Sequence, residues 1–154
     1  MELIAKLPKK SIYLERSLNN LSLVYQKQQK YEDAIQAINK ALLNKTLRSK
    51  HPNLYAKLID NRAYCRFLKG DQEGLENDFN KALYIRDSLD NEAGVGISKM
   101  HLSEFHLRAG DSLKALQTAQ EAHDMAKTFG LNRDILSSLV LLSRADPSHA
   151  TSYM

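Results

Sequence analysis

Apolar residues recur along almost the whole chain at the spacing of an amphipathic helix. The stretch "KYEDAIQAINKAL" shows this best, because Ala34, Ile35, Ile38, Ala41 and Leu42 fall at i, i+1, i+4, i+7 and i+8. No run alternates apolar and polar residues as a half-buried strand would. The pattern predicts an all-α chain with helices near 11–28, 31–47, 52–69, 72–89, 92–108, 112–128 and 132–144, and an eighth that begins at Pro147.

Turn and capping residues mark the ends of these predicted helices. Gly70 and Gly110 each suit the left-handed position after a helix, because glycine adopts a positive φ without a steric penalty. The residues expected to cap the following helices at their N-termini are Asp71, Asp111, Asn132 and Asp146, with Pro52 and Pro147 at first helical positions.

The helices recur as pairs. Alignment on Ala34, Leu75, Ala115 and Ala150 gives spacings of 41, 40 and 35 residues, which predicts repeats at about 11–50, 51–90, 91–130 and a shortened 131–154. Small residues return at fixed offsets, where two helices must approach closely and a larger side chain would overpack the contact. The residues that define the repeat are Ser22, Tyr25, Ala34, Ala41, Ala63, Gly70, Ala82, Ser103, Gly110, Ala115 and Ala122.

The first copy, "LNNLSLVYQKQQKYEDAIQAINKAL", resembles the tetratricopeptide repeat (TPR) family through its leucine, small-residue, tyrosine and alanine positions. The resemblance implies an α-solenoid of antiparallel helix pairs over 11–154, preceded by a tail at 1–10. The period of 40 or 41 residues exceeds the usual one of the family. Longer repeats of this type are similar to the TPR regions of bacterial signalling and regulatory proteins. The resemblance therefore implies the sensor or scaffold part of such a protein.

In the TPR family the first helix of each pair lines a concave groove that binds a peptide or protein segment. Asparagine side chains can both donate to and accept from a peptide backbone, and a tyrosine offers a flat apolar contact with a polar tip. The residues expected to contact a partner, at inward-facing positions outside the core, are Asn19, Asn20, Lys57, Asn61, Tyr64, Met100, His101 and Glu104.

The charge balance allows a second hypothesis. The chain carries 22 basic and 18 acidic residues, for a net charge of +4, and its basic residues cluster in "KLPKK" and "NKTLRSK". Polyanion binding requires several charges to converge on one face. A helical-repeat module that binds nucleic acid is therefore the alternative, although direct contact with nucleic acid is not favoured.

The sequence offers little that predicts catalysis. The single cysteine, Cys65, lies in an apolar helical run and is expected to be buried. His101 and Glu104 lie three residues apart on one helical face, but two ligands are too few for a tight metal site. Gly94 and Gly96 do not form a phosphate-binding loop. We therefore predict no enzymatic activity, no metal and no cofactor.

The chain shows no signal-peptide pattern and no apolar run of membrane-spanning length. We expect no membrane contact, and the cytoplasm is favoured over the periplasm. The last predicted helix stops at Met154 after about two turns, which is short for a stable terminal helix. We therefore expect the parent chain to continue, and we expect self-association through the exposed repeat ends.

Overall fold

Helices account for nearly all of the described chain. The computed structural model describes residues 12–153, and within that range no strand is present, so the all-α prediction is confirmed. The predicted tail at 1–10 lies outside the described residues. The helices are α1 (Tyr13–Lys27), α2 (Tyr31–Leu42), α3 (Leu47–Lys50), α4 (Pro52–Lys69), α5 (Leu75–Asp87), α6 (Glu92–Arg108), α7 (Ser112–Thr128), α8 (Asn132–Ala145) and α9 (Ala150–Tyr153), with a 3-10 turn at Pro147–His149.

The seven long helices form six consecutive pairs along the chain, each pair packs together, and short turns join most of these pairs. A second set of contacts connects α1 with α4, α4 with α6, and α6 with α8. These four helices therefore lie side by side in the order α1, α4, α6, α8. Their arrangement gives the molecule one face to which four separate helices contribute side chains.

Small residues fill the places where helices approach most closely. Ala34, Ala63, Ala82 and Ala115 are fully buried. The buried hydroxyl of Ser103 donates to the backbone oxygen of Ala115 at 2.8 Å, which joins α6 to α7 and satisfies a polar group that burial would otherwise leave without a partner. The structure thus places the small repeat-defining residues at helix contacts.

Several predicted helix boundaries agree with the structure. Gly70 ends α4 with a φ of 107°, and Gly110 follows α6 with a φ of 82°. Pro52 is the first residue of α4 and His51 precedes it. The carboxylate of Asp111 accepts a hydrogen bond from the backbone N–H of Lys114 at 3.1 Å, as an N-cap should.

Two predicted helices have different limits in the structure. The second ends at Leu42 rather than near residue 47, and the separate short helix α3 follows. The fourth begins at Leu75 after the left-handed Gly74, with a φ of 69°, so Asp71 is not its N-cap. The Asp71 carboxylate instead lies 3.4 Å from Nε of Arg66. An ion pair to the preceding helix thus takes the place of the predicted cap.

The caps predicted for the last two helices are also wrong. Asn132 is itself the first residue of α8, because Leu131 occupies the capping position without a side-chain bond. Asp146 precedes a 3-10 turn instead of an α-helix, and its side chain accepts no bond from a backbone N–H there. The Asp146 carboxylate instead accepts a hydrogen bond from the Ser148 hydroxyl, and its Oδ2 lies 2.9 Å from Nδ1 of His149.

None of the helices in residues 12–153 is long and apolar enough to cross a membrane.

Candidate functional site

Two neighbouring clefts open on the face formed by α1, α4, α6 and α8. The first cleft lies over α1, α4 and the start of α6 and has a volume of about 450 Å³. The second cleft lies over α4, α6 and α8 and has a volume of about 530 Å³. Ile97 of α6 lines both clefts, so they adjoin at this side chain. Together they form one groove that crosses all four helices.

Seven of the eight residues predicted to contact a partner line this groove. Asn19, Asn20 and Lys57 lie in the first cleft. The second cleft contains Tyr64, Met100, His101 and Glu104. The regular spacing of the first helices brings these residues together although they are up to 85 positions apart in the sequence, from Asn19 to Glu104.

The eighth residue, Asn61, lines neither cleft. Its amide nitrogen donates to Oδ1 of Asn19 at 2.8 Å, and both side chains are buried. The prediction that these two asparagines lie outside the core is therefore wrong. Their amides join α1 to α4, which removes part of the hydrogen-bonding capacity that a partner would otherwise use.

Tyr64 and His101 form a rigid unit in the wall of the second cleft. Their rings stack with centroids 4.0 Å apart and planes 13° apart. The Tyr64 hydroxyl donates to Oε2 of Glu104 at 2.7 Å. Burial, followed by the neighbouring Glu104 carboxylate, raises the pKa of the Tyr64 phenol, so the proton that makes this bond is retained at neutral pH.

A buried polar network supports the groove from below. Nη1 of Arg86 lies 2.9 Å from Oδ2 of Asp60, 2.7 Å from Oγ of Ser98 and 2.9 Å from the backbone oxygen of Gly94. Nδ1 of His101 lies 3.0 Å from the same Asp60 oxygen. Because Asp60 belongs to α4, Arg86 to α5 and the other three residues to α6, the network joins three helices.

Asp60 is the centre of this network and is fully buried. Burial alone would raise the pKa of its carboxyl group, but the charges and hydrogen bonds of His101 and Arg86 outweigh that effect and hold the pKa below its ordinary value. The carboxylate is therefore charged at neutral pH. Its second oxygen, Oδ1, has no hydrogen-bond partner among the described residues.

The sequence did not reveal this network. It did not predict the burial of Asp60, and it gave no role to Arg86 or Ser98. The available signal was a charged residue in the middle of each of two otherwise apolar helical stripes. A charge at a core position requires a partner, but nothing in the sequence indicates which residue supplies it.

The two clefts differ in charge. The second cleft contains both cations and carboxylates, together with apolar side chains such as Met100, Val140 and Leu141. The described residues that line the first cleft include no carboxylate. They include the cations Arg16, Lys57 and Arg86 and the amides Asn19, Asn20, Asn53 and Asn91.

Side-chain bonds between the neighbouring first helices repeat at nearly constant sequence separations. Asn19 and Asn61 are 42 residues apart, Asp60 and His101 are 41 apart, and Tyr64 and Glu104 are 40 apart. These separations all lie within one residue of the sequence period of 40 and 41 residues. The same offset therefore relates positions in the sequence and contacts in the structure.

His101 and Glu104 do not act as a pair, because each bonds to a different residue of α4. Within residues 12–153, no group of three or more His, Cys, Asp or Glu side chains is arranged to hold a metal ion. Cys65 is fully buried, as predicted, and burial raises the pKa of its thiol to about 11.

Comparisons with protein-family models, with curated proteins and with solved structures find no match to this chain.

Proposed function

We propose that this chain is an interaction module that binds an extended peptide, or an extended segment of a protein, in the groove formed by the two clefts. The observation that carries the proposal is the groove itself. Its two clefts adjoin at Ile97 and together extend over α1, α4, α6 and α8, and they are lined by amides, charges and apolar side chains. Such a mixture suits a peptide, which presents backbone amides and alternating side chains.

The repeat architecture supports this proposal. The sequence period of 40 and 41 residues, the side-by-side contacts of the first helices and the matching separations of their hydrogen bonds are all properties of a TPR-like solenoid. In a solenoid the concave surface is extended, because each repeat contributes the same helix to it. We therefore include a TPR-like solenoid fold in the proposal.

The groove is also preorganised. The stack of Tyr64 on His101, the bond from Tyr64 to Glu104 and the contact of His101 with Asp60 fix three groove side chains before a partner arrives. A side chain that is already ordered loses less conformational entropy on binding. This property favours selective binding of a short segment over a large, adaptable interface.

The broader role follows from the resemblance described for the sequence. We propose that the module is the sensor or scaffold part of a larger bacterial signalling or transcription-regulatory protein. The alternative of nucleic-acid binding has less support. Among the described residues that line the groove, Tyr64 is the one tyrosine, phenylalanine or tryptophan, and it is already stacked on His101; the second cleft also contains carboxylates.

A selection from short random peptides displayed on phage, followed by fluorescence anisotropy with the selected peptides, tests the proposal. Ile97→Trp places a large ring where the clefts adjoin, and Ser137→Trp places one in the second cleft. We expect wild type to bind the selected peptides and both variants to lose at least about tenfold in affinity, since a blocked groove cannot seat the segment.

Leu43→Trp is the matched control, because Leu43 is exposed and lies outside both clefts. It should bind like wild type, and circular dichroism should show equal helix content in all four proteins. If no peptide is selected, or if the three tryptophan variants bind equally well, the groove is not the binding surface.

A further inference from the structure

We infer that the segment bound by this groove is acidic, and that the first cleft holds its aspartate or glutamate side chains while the second cleft holds an apolar side chain. This inference rests on the proposed function and adds the chemistry of the partner. It is carried by the asymmetry of charge between two adjoining clefts on one face.

Two of the three cations in the first cleft are available to a partner. Arg16 and Lys57 are exposed, and neither forms an ion pair with another described residue. Arg86 is different, because its charge is balanced by the buried carboxylate of Asp60. The cleft therefore presents two positive charges that no carboxylate of its lining balances, Arg16 on α1 and Lys57 on α4, and such a pair favours a negatively charged ligand.

The polar groups beside these charges suit a carboxylate on a peptide. Asn20 is exposed and has no side-chain hydrogen bond within the described chain, so its amide is free to donate. Asn91 donates to Oδ1 of Asn53 at 3.0 Å, which leaves the amide nitrogen of Asn53 free. Amide and cationic donors together match the several acceptor sites of a carboxylate and the carbonyl groups that flank it.

The second cleft has the opposite character. Its two arginines, Arg133 and Arg144, are equal in number to its two carboxylates, Glu104 and Asp134, so these four groups leave no net positive charge to attract an acid. Apolar side chains such as Met100 and Val140 provide a surface for an aliphatic or aromatic group. The segment is therefore oriented, with its acidic residues over α1 and α4 and its apolar residue over α6 and α8.

The same cations could attract the phosphates of a nucleic acid, but the structure favours a peptide. Two unbalanced cations are few for a polyanion, whose affinity grows with the number of phosphates that are neutralised. The adjoining cleft has as many carboxylates as arginines, so it offers no excess positive charge to a phosphate backbone that continued along the groove. An acidic segment that ends in an apolar residue needs no such charge there.

The test compares two double variants that remove the same charge from different places. Arg16→Gln with Lys57→Gln neutralises the first cleft. Lys45→Gln with Lys127→Gln neutralises two exposed lysines that line neither cleft. Binding is measured by fluorescence anisotropy with three probes, namely an acidic peptide containing one leucine, the same peptide with glutamine in place of every acid, and a single-stranded RNA.

We expect wild type to prefer the acidic peptide over its glutamine form by at least about tenfold, with a preference that declines as salt is added. The Arg16/Lys57 variant should lose that preference and the Lys45/Lys127 variant should keep it. Equal binding of the two peptides, equal loss in both variants, or tighter binding of the RNA would each overturn the inference.

These outcomes are distinguishable from failure of the proposed function. If peptides chosen by the phage selection bind and Ile97→Trp abolishes their binding, the groove is a peptide site whatever its charge preference. If Ile97→Trp abolishes the binding of the selected peptides but these peptides bind equally well with and without acidic residues, only the acidic chemistry of the partner is refuted. If no peptide of either kind binds wild type, both the proposed function and this inference are refuted.

Discussion

At the scale of single residues, the buried contact between Asp60 and Arg86 joins α4 to α5 beneath the groove. Taking both charges out of water is costly, so the pair is tolerated because each charge has other partners. Arg86 also contacts Ser98 and the backbone of Gly94, and Asp60 also contacts His101. Loss of one member would leave the other as a buried charge with fewer partners.

We therefore predict that Arg86→Met destabilises the fold by about 3 kcal/mol, the lower part of the range for breaking a buried pair, because His101 still contacts the Asp60 carboxylate. Urea denaturation followed by circular dichroism measures this change. The control is Lys69→Met, which removes an exposed ion pair with Glu32 and should leave the urea midpoint unchanged. Equal midpoints for wild type and Arg86→Met would contradict the assigned network.

Two glycines of α6 give a second test at this scale. A Cβ added to Gly94 would lie 2.5 Å from Nδ2 of Asn91 and 2.9 Å from Cδ of Arg86, whereas a Cβ at Gly96 would meet nothing within 4 Å. Arg86 cannot easily move aside, because its guanidinium is held by Asp60. The close approach of Arg86 to α6 thus requires a glycine at position 94 but not at position 96.

We predict that Gly94→Ala costs about 1–3 kcal/mol through overpacking. Gly96→Ala should be neutral or stabilising by up to about 1 kcal/mol, because alanine favours a helix over glycine. Thermal and urea denaturation of the two variants measure the difference. Destabilisation by Gly96→Ala as large as that by Gly94→Ala would show that helix geometry, and not contact with Arg86, controls this region.

At the scale of the helices, the sequence predicts that each long helix forms, but it does not predict where every one of them begins or ends. The seven long helices were predictable, because an amphipathic stripe needs only the local order of residues. The start of α5 was not, because Gly74 adopts a left-handed conformation that the motif "KGDQEG" does not distinguish from a cap at Asp71. Two glycine-aspartate pairs that look alike in sequence thus start helices in different ways.

This difference predicts unlike effects for two similar substitutions. Asp111→Ala removes the hydrogen bond to the N–H of Lys114 and should increase the amide exchange rate in the first turn of α7. Asp71→Ala should leave exchange in the first turn of α5 unchanged, because Asp71 lies outside that helix. Hydrogen exchange measured by mass spectrometry resolves the two regions. Faster exchange at the start of α5 in Asp71→Ala would support the cap predicted from sequence.

The groove shows a similar limit for the sequence. Its general location was predictable, because a repeat period tells which helices share a face. The burial of Asn19, Asn61 and Asp60 was not, because it depends on how close the first helices come together. That distance is set by packing around small residues such as Ala63 and Ser103, and no local pattern encodes it.

At the scale of the whole molecule, the charge on Asp60 links stability to pH. Its pKa in the folded chain is lower than the ordinary value of 3.8, so the unfolded chain binds its proton at a higher pH than the folded chain does. The stability that Asp60 contributes is therefore present in full above about pH 4 and is lost as the pH falls through the folded value. Other carboxylates with lowered pKa values, such as Glu121, add to the same trend.

We predict that the free energy of unfolding of wild type declines between about pH 5 and about pH 2, and that Asp60→Asn declines less steeply over this range. Urea midpoints measured across the range give both slopes. Asp87→Asn, at an exposed position, serves as the control and should follow wild type. If Asp60→Asn and wild type have equal slopes, Asp60 does not titrate with the assigned direction of shift.

The burial of Cys65 gives the molecule an internal reporter. It is the one cysteine in the sequence, it is fully buried in α4, and its raised pKa leaves little thiolate at neutral pH. A thiol reagent can therefore modify Cys65 only when α4 separates from its neighbours. The rate of labelling in wild type thus reports how often this local opening occurs. A ligand that bridges α1, α4 and α6 must hold the helices together, and it would be detected as slower labelling without any attached dye.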